Sequence, residues 1–86
     1  MIRIIDVEYE NEYVLQLTFN NGEIYDVDLK DHLGGKAYKD LKSPDMFKQF
    51  GLIRGTIEWY NNADFAPEFL YQLAINQNKT TEKINE

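Results

Sequence analysis

The stretch that decides the fold is Leu15-Gln16-Leu17-Thr18-Phe19-Asn20-Asn21-Gly22-Glu23-Ile24-Tyr25-Asp26-Val27-Asp28-Leu29. Leu15, Leu17 and Phe19 alternate with Gln16 and Thr18. Tyr25, Val27 and Leu29 alternate with Asp26 and Asp28. A period of two is the mark of a half-buried strand. Asn21-Gly22 between the two runs is a hairpin signal, and a two-residue turn is its usual form. Here that turn would set Leu17 against Asp26 and Leu15 against Asp28, with carboxylates on the apolar face. A three-residue loop, Asn20-Asn21-Gly22, with Gly22 left-handed as a bulge, pairs Leu17 with Tyr25 and Leu15 with Val27. A one-residue slip inverts a whole face, so the pattern selects the three-residue loop.

Working outward, Ile5, Val7 and Tyr9 alternate with Asp6, Glu8 and Glu10 and give a strand before this hairpin. The same parity argument makes Glu10-Asn11-Glu12 an odd-length connection, pairing Tyr9 with Tyr13 and Val7 with Leu15. The result is a three-stranded antiparallel meander over about 3–10, 13–19 and 23–29. Ile5, Val7, Leu15, Leu17, Tyr25 and Val27 face inward. Asp6, Glu8, Asp26 and Asp28 face solvent.

Beyond Leu29 the alternation stops. Asp31-His32-Leu33-Gly34-Gly35 reads as a short helical turn closed by glycine. Ser43-Pro44 starts a short helix over about 44–50, with serine at the N-cap, proline at the first helical position and Gly51 as the stop. Strands follow over about 52–60, Leu52-Ile53 pairing with Thr56-Ile57-Glu58-Trp59 across Arg54-Gly55. Pro67 opens a last helix over about 67–76, with Phe69, Leu70, Leu73 and Ala74 on one face. The expected architecture is α+β: one domain over 1–76 and a polar, flexible tail over 77–86.

The 86 residues include no cysteine, one histidine and one serine, and the net charge is −6. Disulfide scaffolds, thiol catalysis and zinc–thiolate sites are excluded. Acidic residues interrupt the apolar start at once, which argues against a signal peptide, and no apolar run approaches a membrane span. A cytoplasmic location and no membrane partner are expected. Eight acidic residues lie between Met1 and Leu33 against Arg3 and Lys30. Nucleic-acid binding needs a concentrated basic face, so no direct nucleic-acid partner is expected.

Few residues here carry chemistry. His32 and Ser43 are too sparse for a nucleophilic triad, and Ser43 already has a capping role. Gly34-Gly35-Lys36 lacks the spacing and the following Ser or Thr of a phosphate loop. Asp6 and Glu8 are separated from Asp26 and Asp28 by a whole strand, about 9–10 Å, too far to share a small ion. No catalytic, metal or cofactor-binding residue is assigned, and the chain is read as no enzyme. Lys36, Lys39 and Lys42 form a basic ridge if their segment is helical. Tyrosine and tryptophan favour interfaces. Asp6, Glu8, Asp26, Asp28, Tyr13, Tyr60, Trp59 and Asp64 are therefore the candidate partner surface, Asp64 also satisfying the first amides of the last helix and Trp59 also packing the loop against that helix.

Three pieces, Leu17-Thr18-Phe19-Asn20-Asn21-Gly22-Glu23, Val27-Asp28-Leu29, and Thr56-Ile57-Glu58-Trp59 followed by Ala63-Asp64-Phe65-Ala66-Pro67-Glu68, resemble the bacterial family called domain of unknown function 2442. The resemblance covers the chain to about Leu73. It departs at Tyr60 and Asn62, where the family tends to have proline and glycine. It implies a small α+β fold in a bacterial cytoplasmic protein, with no activity to carry over. Some relatives carry a following helix-turn-helix. Genes of the family often sit beside those of another small family, in a toxin–antitoxin-like arrangement. The expected function is a non-enzymatic interaction module, the acidic antitoxin-like partner of a small protein encoded by a neighbouring gene, with a homodimer as a further expectation. The alternative is a small-ligand or metal-binding domain, or an enzyme working through Asp and Glu side chains.

Overall fold

The computed structural model describes residues 1–84, with side chains as far as Asn78. Strands β1 (Ile4–Asn11), β2 (Val14–Phe19) and β3 (Ile24–Asp28) form an antiparallel sheet in the order β1-β2-β3. A 3-10 turn at Lys30–His32 and a 3-10 segment at Lys36–Lys42 lead to helix α1 (Pro44–Phe47). Strands β4 (Phe50–Ile53) and β5 (Thr56–Trp59) form a second, two-stranded sheet, and helix α2 (Pro67–Ile84) closes the order. The α+β class and the opening meander agree with the sequence reading.

The deciding hairpin has the expected register, Leu17 opposite Tyr25 and Leu15 opposite Val27. Its loop has three residues. The Phe19 N–H donates to the Glu23 carbonyl at 2.8 Å and the Gly22 N–H to the Phe19 carbonyl at 2.9 Å. Gly22 sits at φ +92°, a left-handed conformation that costs a Cβ-bearing residue and not glycine.

The first hairpin differs from expectation. Val7 faces Leu17 and Tyr9 faces Leu15, two residues along from the expected pairs, and Asn11 faces Val14. The connection is Glu12-Tyr13, with Glu12 at φ +43° and Glu10 as an extra residue in the ladder. A two-residue shift keeps every side chain on its own face, so alternation cannot detect it. Tyr13, freed from pairing, donates its hydroxyl to the Lys42 carbonyl and sets its ring edge-on to Phe47, centroids 5.3 Å apart.

A second bulge lies at Ile5, between the pairs Ile4–Phe19 and Asp6–Thr18. The extra residue lets Ile4 and Val7 share the inner face, although their spacing is odd. Ile4 is therefore buried, while Ile5, expected inward, is 56 % exposed. The Ile4 N–H donates to the Gly55 carbonyl at 2.8 Å and ties the meander to the second sheet. Asn20 fixes the chain before β1: its Oδ1 accepts from the Arg3 N–H and its Nδ2 donates to the Met1 carbonyl.

Ser43 and Pro44 start α1 as expected, but the Ser43 hydroxyl makes no capping bond. Its carbonyl instead accepts from the Met46 and Phe47 N–H groups. The helix ends at Phe47 rather than 50, because Phe50 pairs with Trp59 and Gly51 with Glu58 in the second sheet. Arg54 and Gly55, at φ +54° and +80°, make the expected turn between β4 and β5.

Helix α2 buries Leu70 and Ala74, whereas Phe69 is 39 % exposed and leaves the expected face. The helix end expected at 76 is corrected: α2 runs to Ile84. Gln77 there is held by a distant partner, Asp28. Asn85 and Glu86, the rest of the expected tail, lie outside the described residues. The core joins Leu15, Leu17, Phe19, Val27 and Leu29 of the meander to Phe47, Ile57, Trp59 and Leu70. No described helix is long and apolar enough to cross a membrane.

Candidate functional site

The outer face of the meander is ordered in rows across three strands. Glu8, Gln16 and Asp26 make one row, and Asp6, Thr18 and Ile24 the next. Asp28 lies opposite Val14. Asp6, Glu8, Asp26 and Asp28 are all exposed, as expected of the solvent side of a one-face-buried sheet. Among the described residues no ion pair neutralises them. Asp28 is partly committed, because its Oδ1 accepts from the Lys30 N–H at 2.9 Å and shapes the turn that follows. Ile24 is 56 % exposed and gives this acidic face an apolar margin. Groups of three or more His, Cys, Asp or Glu able to hold a metal ion are absent among the described residues.

The other candidate residues do not join this face. Trp59 is 2 % exposed and is withdrawn from the partner surface. Its Nε1–H donates to the Phe47 carbonyl at 2.7 Å, and its ring lies 5.6 Å from Phe47 and 5.8 Å from Phe65. A buried indole needs such an acceptor, which makes Trp59 a core bolt. Tyr13 is half-buried on Phe47. Tyr60 remains available at 49 % exposure, just after β5. Asp64 is exposed and forms a bridge with Glu58. It does not satisfy the first amides of α2 among the described residues. It sits three positions before Pro67, and the Leu70 N–H closes the first turn on the Ala66 carbonyl.

The Asp64 carbonyl accepts from the Tyr38 hydroxyl at 2.7 Å. Burial, and then the Asp64 charge, push that phenol above its ordinary range. Tyr38, Phe65 and Phe69 stack in a column, with centroids 4.7 Å and 5.6 Å apart, and His32 meets Phe69 edge-on at 5.5 Å. The lone histidine is thus part of an aromatic stack. Lys36, Lys39 and Lys42 are exposed on the 3-10 segment, while Tyr38 is half-buried and Leu41 buried. Three residues per turn set these lysines on one ridge, as their spacing implied.

One polar cluster escaped the sequence reading. Glu23 Oε1 accepts from the Tyr71 hydroxyl at 2.8 Å and from the Tyr25 hydroxyl at 3.0 Å. Asn21 joins by donating from Nδ2 to the Tyr71 hydroxyl at 3.3 Å and accepting the Glu23 N–H on Oδ1 at 3.0 Å. The bonds from Tyr71 and Tyr25 hold the Glu23 carboxyl below the usual range, although burial opposes them. The Tyr71 phenol is raised, chiefly by its bond to Glu23. Glu23 and Tyr25 are two apart on a strand-leading segment and share a face, which was the available signal. Tyr71 could not be placed without the tertiary structure. The cluster seats α2 against the β2–β3 hairpin.

Comparison with known proteins gives one family and one fold. A family model described as "Protein of unknown function (DUF2442)" matches residues 4–76. Among solved structures, the chain is similar to one described as "Crystal Structure of Putative DNA Binding Protein NE0471 from Nitrosomonas europaea ATCC 19718", with TM-score 0.79 and 24 % identity. The match covers 92 % of this chain and 52 % of that one, so this chain spans about half the length of that protein. At that identity the likeness is one of fold. No curated protein matches the sequence.

Proposed function

The chain belongs to the DUF2442 family of proteins of unknown function, and from that premise we propose that it is a non-enzymatic interaction module that binds a basic protein through the outer face of its meander. The observation that carries this reading is the set Asp6, Glu8 and Asp26, exposed in adjacent rows on one sheet face with no neutralising ion pair among the described residues. Such a face steers and orients a partner of opposite charge. Exposed Ile24 adds apolar area next to the carboxylates. The partner is a small basic protein encoded by a neighbouring gene, the chain acting as the acidic, antitoxin-like half of the pair. That assignment rests on the toxin–antitoxin-like gene arrangement that the family resemblance implies.

The test is co-expression with the product of the adjacent gene, followed by co-purification. A complex is expected, and the double variant Glu8→Lys and Asp26→Lys should abolish it while remaining folded. Absence of a complex at micromolar concentration overturns the reading.

A second reading has its own observation. The ridge of Lys36, Lys39 and Lys42 is a basic surface on an acidic chain, and the similar solved structure is described as a "Putative DNA Binding Protein". Under this reading the ridge contacts phosphate. Three contacts predict a slope of about −3 in log affinity against log salt for duplex DNA. Duplex binding with that slope, lost in Lys39→Glu, would replace the protein-partner reading.

A further inference from the structure

Asn21-Gly22 is the only asparagine–glycine pair in the chain. It lies in the exposed β2–β3 loop, and an added Cβ at Gly22 would meet nothing within 4 Å. Glycine leaves its own backbone nitrogen unhindered. That nitrogen can attack the neighbouring carboxamide carbon. We propose that Asn21 is a site of spontaneous deamidation, that its contact with Tyr71 holds the reaction off, and that conversion loosens the seat of α2.

The chemistry needs no co-reactant but water. The Gly22 nitrogen gives up its proton and bonds to Asn21 Cγ, closing a five-membered imide. The Cγ–Nδ2 bond breaks, and nitrogen leaves as ammonia. Water then opens the imide, at Cγ to give aspartate or at the backbone carbonyl to give isoaspartate.

The fold opposes every part of the first step. The Gly22 N–H is held by the Phe19 carbonyl at 2.9 Å. The carboxamide is pinned at both ends, Oδ1 by the Glu23 N–H at 3.0 Å and Nδ2 by the Tyr71 hydroxyl at 3.3 Å. Cyclisation therefore waits for a local opening that frees the loop from α2, and its rate follows the population of that opening.

The products do not fit the closed arrangement. Aspartate at 21 loses the Nδ2 donor and sets a second carboxylate beside Glu23, around one tyrosine hydroxyl. Isoaspartate adds a backbone carbon to a loop whose length sets the register of the hairpin. Both weaken the link between loop and helix, so the first conversion makes the opened state more populated.

Peptide mapping by mass spectrometry, with enzymatic detection of isoaspartate, follows the folded full chain at mildly alkaline pH. Three samples are compared: the wild type, Tyr71→Phe, and the wild type in urea. Conversion is expected at Asn21 before any other asparagine, slowest in the folded wild type, several-fold faster in Tyr71→Phe, and fastest in urea. Equal rates in wild type and Tyr71→Phe, or equal rates folded and in urea, overturn the proposal, as does preferred conversion elsewhere. If Tyr71→Phe does not fold, Asn21→Asp in the wild-type background serves instead. It should lower the melting temperature more than Asn62→Asp does, and an equal or smaller effect overturns the proposal.

Discussion

The side-chain amide of Gln77 makes both backbone hydrogen bonds of Asp28: its Oε1 accepts from the Asp28 N–H and its Nε2 donates to the Asp28 carbonyl, each at 2.9 Å. A side chain from α2 thus occupies part of the free edge of β3. Unpaired edges invite foreign strands, and covering them is a common protection.

Replacing Gln77 by alanine should destabilise the chain by roughly 1–2 kcal/mol, the net worth of two hydrogen bonds whose groups can turn to water. Gln77→Glu should also cost stability, because a carboxylate can still accept from the Asp28 N–H but cannot donate to the Asp28 carbonyl. Denaturant titration reads the stability. Amide exchange should show the lost protection at Asp28.

Trp59→Phe removes the only tryptophan and leaves the buried Phe47 carbonyl without its donor. The orphaned acceptor and the lost volume together should cost about 2–4 kcal/mol. Circular dichroism follows this melt, since the variant has no indole fluorescence.

The bulge at Ile5 is tested by a pair of variants. Ile4→Ala should cost about 2–5 kcal/mol as a core truncation, and Ile5→Ala no more than about 0.5 kcal/mol as a surface change. The reverse order of melting temperatures would restore the unbulged register.

Gly55 sits at φ +80°, and a Cβ there would lie 2.9 Å from both Cγ and Cδ of Arg3. Gly55→Ala should lose roughly 1–2 kcal/mol from the left-handed backbone alone, and more from the collision. Adding Arg3→Ala should recover the part of the collision due to Cγ and Cδ, the residue 3 Cβ staying 3.1 Å away, but not the backbone cost, a coupling that a double-mutant cycle isolates.

Glu23 sets an acid limit. Its folded carboxyl is held low by Tyr71 and Tyr25, so the unfolded chain binds its proton first as pH falls. The stabilisation is complete above the unfolded carboxylate value, near about 4.3, and is lost as pH drops through the lower folded value. Tyr71 acts at the other end. Its raised phenol contributes stability below the ordinary tyrosine value, near about 10, and loses it as pH rises through the folded value. Melting curves across pH should show a shallower acid limb in Glu23→Gln and a shallower alkaline limb in Tyr71→Phe.

The candidate surface was legible only in part. Asp6, Glu8, Asp26 and Asp28 were placed outward by alternation, and the structure keeps them there. Trp59 is read both as packing for the loop before the last helix and as partner surface, because an aromatic residue on a short strand reads alike whether it fills an interface or a core; the structure buries it. Its partner, the Phe47 carbonyl, is a backbone group that no side-chain pattern announces. Tyr9, Tyr13, Tyr25, Tyr38 and Tyr71 likewise spend their hydroxyls inside the fold, on Glu12, Lys42, Glu23 and Asp64.

By itself the sequence determined the β2–β3 hairpin, its three-residue loop and left-handed Gly22, because there alternation and turn chemistry act within fifteen residues and admit one register. It also determined the Arg54-Gly55 turn and the start of each α-helix, through local backbone preferences. Tertiary structure alone decided the β1–β2 register, since alternation is blind to a shift of two. It decided which of Ile4 and Ile5 is buried, through the Gly55 carbonyl that holds Ile4. And it carried α2 past residue 76, where the chain is polar and a local reading ends the helix. Gln77 is held there by a strand edge 49 positions away, a contact that exists only once the chain has folded.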